Sequence, residues 1–166
     1  AIKPGTTAAS LHDQRAALGA PLLLQVLADL PGYLEQPPAQ DEAGATDAGK
    51  IRKREAEIDW RLDAAELHRR VRAFNPFPVC YTELAGERVK IWECALLPRT
   101  VDDRAPGTII DAGRAGIVVQ CGTDRLCLTR LQLPGGRAIS AEQLLNARSE
   151  AFAPGVHLGR PVAMGD

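Results

Sequence analysis

Apolar positions along the chain follow a helical spacing first and a strand spacing later. Leu11, Leu18, Leu22, Val26 and Leu30 recur mostly four residues apart, the stripe of an amphipathic helix that needs a partner for its apolar side. Gly19-Ala20-Pro21 falls inside this stripe and predicts a break into two shorter helices, because proline supplies no N–H to the helical ladder. Residues 31–49 turn to Pro, Gly, Gln and acid, a linker or surface loop. The next helix opens at Asp63, with Glu66 three residues on as a capping box and Leu62 and Leu67 as its hydrophobic staple. Leu67, Val71 and Phe74 continue its buried side, and Pro76 and Pro78 end it.

Beyond Pro78 the period shortens to that of strands. Short runs rich in Val, Ile, Thr, Tyr and Trp are punctuated by Gly86, Gly107, Gly113, Gly116 and Gly122. Strands are predicted over 79–84, 88–97, 107–111, 116–121 and 125–133, five or six in all, with Ala85-Gly86 as a hairpin turn. The fold class is therefore α+β, a small antiparallel OB-like β-barrel with short helices. Ser140-Ala141-Glu142-Gln143 reads as another capping box, stapled by Ile139 and Leu144, for a helix through Arg148. The Gly- and Pro-containing tail after Phe152 is expected to be loose.

A chain of 166 residues buries about 70% of its unfolded surface, enough for one domain plus an appendage without disulfides or metal. No apolar run approaches the ~18 residues of a membrane span, and the expected location is cytoplasmic. The chain starts at Ala1 rather than Met, as a processed chain or one that begins mid-protein would. Cys80, Cys94, Cys121 and Cys127 lack zinc-ligand spacing and read as free thiols. The net charge of -1 hides an asymmetry: residues 1–49 carry two basic and six acidic side chains, residues 50–166 eighteen basic and fifteen acidic.

Catalytic chemistry is poorly supported. His12, His68 and His157 are isolated, no serine sits in a G-x-S-x-G setting, and no phosphate-cradling glycine loop occurs. Asp102-Asp103 reads as a solvated loop rather than a cation site. One charge cluster stands out: Lys50, Arg52, Lys53 and Arg54. Taken alone it is a solvated face. Arg69 and Arg72 on the next helix, Arg88 and Lys90 on a hairpin, and Arg125, Arg130 and Arg137 near later turns would together give a basic face for a polyanion. Aromatics form only 4% of the chain, so backbone and shape contacts to a folded RNA suit it better than base stacking as the main mode.

Several motifs occur in register: Lys50-Ile51, Lys53, Glu55-Ala56, Ile58-Asp59-Trp60, the run Arg72-Ala73-Phe74-Asn75-Pro76 with Pro78, Lys90-Ile91-Trp92, Pro106-Gly107-Thr108-Ile109, and Leu145-Asn146 with Arg148. In these the chain resembles the C-terminal half of the methionyl-tRNA formyltransferase family over about residues 6–155. Arg52, Arg54, Phe77 and Ala147 depart from the family pattern. The resemblance implies a parent enzyme that moves a formyl group from the co-substrate 10-formyltetrahydrofolate to the amino group of methionyl initiator tRNA. It further implies that residues 1–36 end a catalytic domain, 37–60 form a linker and 61–166 the barrel. The catalytic residues and folate loop would lie upstream, so this segment alone is expected to be inactive, with neither cofactor nor metal. Its partners would be the initiator tRNA and the missing N-terminal catalytic domain. Leu96-Leu97-Pro98-Arg99 echoes a motif near the family's catalytic region but sits at a strand end here, a chance match. Two alternatives remain open: a structural scaffold for that enzyme, and the C-terminal domain of another folate-dependent formyl enzyme, whose substrates include nucleotide sugars.

Overall fold

The computed structural model describes residues 2–35, 37, 39, 41–98 and 103–159; Arg99 and Asp102 of the runs discussed above lie outside them. Two compact units divide the chain, Ala1–Ile51 and Arg52–Asp166.

In the first unit, helix α1 spans Ala8–Ala28. Its start is capped reciprocally: Ser10 N–H donates to Thr7 Oγ1 at 3.1 Å and Thr7 N–H donates to Ser10 Oγ at 3.0 Å. The predicted break at Pro21 is absent, and α1 runs through it as one helix. An interior proline costs about 3 kcal/mol, but the Ala- and Leu-rich stretches on either side are strong helix formers and resume the ladder at once. The expected linker also starts too early, because Leu30–Glu35 form a short helix, α2. Asp29 caps it by accepting Gly32 N–H at 3.4 Å, and Pro31 falls in the first turn, where a missing N–H breaks no bond. No residue of α1 or α2 is buried.

The second unit is built on six antiparallel strands. These are β1 (Cys80–Leu84), β2 (Glu87–Leu96), β3 (Ile109–Gly113), β4 (Gly116–Gln120), β5 (Arg125–Gln132) and β6 (Ile139–Ser140). The sheet order is β1-β2-β5-β4-β3, with β6 paired to β5. Ala85 and Gly86 join β1 to β2 with φ of 49° and 83°, the two positive values a tight hairpin turn needs. Helix α3 (Ala64–Ala73) buries Ala64, Leu67 and Val71 in the core. Asp63 caps it by accepting Glu66 N–H. Glu66 does not complete a reciprocal box; it pairs with Arg70 one turn on, at 2.8 Å. Helix α4 (Ala141–Arg148) has the full box, Gln143 N–H to Ser140 Oγ and Ser140 N–H to Gln143 Oε1, each 3.2 Å.

The core gathers Trp60, Leu67, Val89, Ile91, Ile109, Ile117, Leu126, Leu128, Leu131, Leu144, Phe152 and Leu158. Ile58 and Trp60 belong to it, so the chain just before α3 is part of this unit. The tail after Phe152 is not loose as far as Gly159. Gly155 N–H donates to Ile109 O, Ile109 N–H to Val156 O, Leu158 N–H to Gly107 O and Gly159 N–H to Glu83 O, at 2.7–2.8 Å. Leu158 is fully buried. Glycine and proline signal a lack of local structure, whereas these bonds are all made to distant strands.

Candidate nucleic-acid interface

The pleat of β2 turns Val89 and Ile91 into the core and leaves Arg88, Lys90 and Trp92 on the outer side. Tyr81 of β1 lies directly opposite Lys90 in the register. Its ring carries the Arg88 guanidinium at 3.9 Å from the centroid, a cation–π contact that orients the cation. The Tyr81 hydroxyl donates to Glu57 Oε2 at 3.2 Å, and Ile58 N–H donates to Tyr81 O at 2.8 Å. These bonds run the 57–58 segment along β1. The preceding 3-10 turn, Lys53–Ala56, is set by Arg52 N–H donating to Glu55 Oε1 at 2.8 Å, and Lys53 lines the same cleft as Arg88.

The other wall comes from the turn after α3. Asn75 Nδ2 donates to Trp92 O at 3.1 Å, and Val79 N–H closes the turn on Phe74 O at 2.9 Å. Val79 adopts φ of 66°, a left-handed conformation that costs a β-branched residue about 1–3 kcal/mol. Its buried side chain and its hydrogen bond hold it there. The prolines at 76 and 78 restrict φ on both sides of Phe77, a residue 63% exposed. On the far side Trp92 Nε1 donates to Gln132 Oε1 at 2.8 Å, and Gln132 Nε2 donates to Gly136 O at 2.7 Å.

The result is a cleft of about 280 Å³ lined by Lys53, Pro76, Phe77, Tyr81, Arg88, Lys90 and Trp92, with no acidic side chain on its wall among the described residues. A smaller depression of about 160 Å³ shares Arg88 and Lys90 and continues to Pro134 and Gly135, two residues before the exposed Arg137. Of the predicted cations, the structure thus brings Lys53, Arg88 and Lys90 together. Arg52, Arg54 and Arg69 are exposed but do not line the cleft. Arg72 is half-buried and acts electrostatically on His68 and Cys94. Lys50 belongs to the first unit. Sequence reasoning passed over Tyr81, Trp92 and Gln132, although Trp92 shares the alternation of Arg88 and Lys90.

The shifted thiols and the shifted imidazole lie away from this cleft. Burial pushes the thiols of Cys80, Cys94 and Cys121 up to about 12, so they are poor nucleophiles. Burial, with Arg72 and Arg69 nearby, lowers His68 and favours its neutral form. A larger cavity of about 360 Å³ lies between 57–61, Pro106 and 157–159. Within it Arg61 Nη2 meets Asp59 Oδ2 at 2.7 Å, and His157 Nε2 lies 2.9 Å from Pro106 O. Among the described residues no group of three His, Cys, Asp or Glu could hold a metal, and no helix is long and apolar enough to cross a membrane.

Fold and cleft together define a small α+β sheet domain whose outer face suits an anionic ligand. Comparison with known proteins sharpens this class. Residues 50–149 match the family described as formyl transferase, C-terminal domain, and the chain belongs to that family. It is 46% identical over 158 residues to a methionyl-tRNA formyltransferase of Pseudomonas fluorescens, covering 95% of this chain and 49% of that protein. A methionyl-tRNA formyltransferase of Pseudomonas putida is 47% identical over 159 residues, 96% of this chain and 50% of the relative. The chain therefore spans about half the length of the curated relatives it matches. Among solved structures, HypX from Aquifex aeolicus shares the fold, with a TM-score of 0.66 at 14% identity, over 99% of this chain and 28% of that one.

Proposed function

We propose that the chain is the C-terminal portion of an enzyme that formylates the amino group of methionyl initiator tRNA from 10-formyltetrahydrofolate, and that its sheet domain binds and positions the tRNA. The active site and the folate site would lie in the catalytic domain that precedes it, with the whole enzyme cytoplasmic. The observation that carries the enzyme is the 46% identity to methionyl-tRNA formyltransferases over nearly the whole chain. What supports the tRNA role is the acid-free cleft that gathers Lys53, Arg88 and Lys90. Each phosphate neutralised by such a cation releases condensed counterions, so binding driven this way weakens steeply with salt.

The test is binding of initiator tRNA to this chain across a salt series. Saturable binding with a steep slope is expected, and replacing Lys53, Arg88 and Lys90 with alanine should flatten that slope. Binding that survives the triple replacement with slope and affinity intact would remove the role given to these cations. The scaffold reading has its own observation, the exposed Leu18, Leu22, Leu23, Leu24 and Leu27 of α1, which suit docking to a catalytic domain. In that case the sheet domain adds stability to the enzyme and no tRNA affinity.

A further inference from the structure

We infer that Phe77 is a stacking platform for one unpaired nucleobase of the bound RNA, with Lys53 and Lys90 beside it to hold the flanking phosphates. The inference rests on the tRNA reading and adds to it a named contact and a ligand chemistry.

A single exposed apolar side chain is ordinary on a protein surface. Phe77 differs in what holds it and in what surrounds it. Pro76 and Pro78 flank it, and the turn is fastened at Asn75 to Trp92 O and at Val79 to Phe74 O. The ring is therefore presented on a stiff support, which limits the conformational freedom lost on binding. Its surroundings select the occupant. Lys53, Arg88 and Lys90 share the cleft, and among the described residues no carboxylate lines it. An apolar protein side chain seated there would leave these cations uncompensated, whereas a nucleotide carries a π face and an anion in one unit. The Tyr81 ring orients Arg88, whose N–H edge stays free for an anion, and Lys53 and Lys90 add two more cations to the same wall. At about 280 Å³ the cleft falls just below the ~300 Å³ at which drug-sized pockets begin, room for one base rather than a run of them. The low aromatic content of the chain is compatible with this, since the platform is one ring in a field of backbone contacts.

A base inside a duplex keeps both faces stacked on its neighbours, so the platform should act only on RNA with an unpaired nucleotide. The experiment compares initiator tRNA with a long RNA duplex, in which every base but those of the two end pairs is stacked on both faces, over a salt series, for the wild-type chain and the variants Phe77→Ala, Phe77→Leu, Phe77→Trp and Lys90→Ala. Phe77→Ala and Phe77→Leu are expected to weaken tRNA binding about tenfold without changing the salt slope or duplex affinity. Phe77→Trp should keep full affinity, because its π face is larger. Lys90→Ala should flatten the slope on both RNAs. Thermal unfolding should be unchanged in the Phe77 variants, since the residue is mostly exposed. Unchanged tRNA affinity in Phe77→Ala, equal losses on tRNA and duplex, or full rescue by Phe77→Leu would each overturn the stacking role while leaving the tRNA reading intact. A wild-type chain that does not bind tRNA overturns both.

Discussion

Helix α1 and the six-stranded sheet use similar proportions of leucine, valine and isoleucine to opposite ends. In the sheet domain these residues alternate with polar ones and close a core in which Leu128, Leu131 and Leu158 have no solvent exposure. In α1 the leucines at 18, 22, 23, 24 and 27 are each more than half exposed. One unit is held by contacts between residues distant in sequence, the other by its own ladder and by the Thr7–Ser10 cap. Apolar content by itself therefore does not make a core. A helix can be well formed locally and still present an apolar surface that has to be covered by something else.

The sharpest way to break this contrast is to remove the same side-chain atoms from each unit. Leu158→Ala is expected to destabilise the sheet domain by about 2–5 kcal/mol, whereas Leu23→Ala should leave its denaturant midpoint unchanged. Equal effects would mean that the two units share their stability. Capping gives a smaller effect in each unit separately. Ser140→Ala should cost the sheet domain about 1 kcal/mol in denaturant unfolding, while Thr7→Ala should reduce only the helical circular dichroism signal.

The smallest expected effect is electrostatic. The Arg61 guanidinium, bonded to both Asp59 oxygens, holds that carboxyl below its usual range. A depressed carboxyl stabilises the fold above its unfolded value, about 3.9, and that contribution is lost as pH falls through the lower folded value. The pair is largely solvated, so Asp59→Asn should shift the acid midpoint only slightly and leave stability at neutral pH almost unchanged. A large loss at neutral pH would show that the pair is part of the packing rather than of the surface.

Much of the sheet domain was legible because its signals are local. Asp63 and Ser140 are caps as their spacing predicts, Ala85-Gly86 is the turn, and five of the strands fall within a residue or two of expectation. The failures share one cause. Pro21 and Pro31 look like breaks until their helical positions are known, and Leu158 looks loose because all its bonds are long-range. The cleft was half legible for the same reason. Arg88 and Lys90 could be nominated from charge, but only the β1–β2 register and the 57–58 segment along β1 bring Tyr81, Trp92 and Lys53 to them. Arg72, nominated on equal grounds, is half-buried and does not line the cleft.

The segment 155–159 also bears on how this molecule behaves in a crowd of its own kind. The outermost strands of an open sheet offer rows of backbone donors and acceptors to any extended chain that comes by, and that is a common start of strand-on-strand aggregation. Here one stretch of backbone bonds to residues 107 and 109 at one margin and to Glu83 at the other, where Tyr81 is also taken by Ile58. The chain supplies its own occupants for both margins, and recruitment of a foreign strand would first have to displace them.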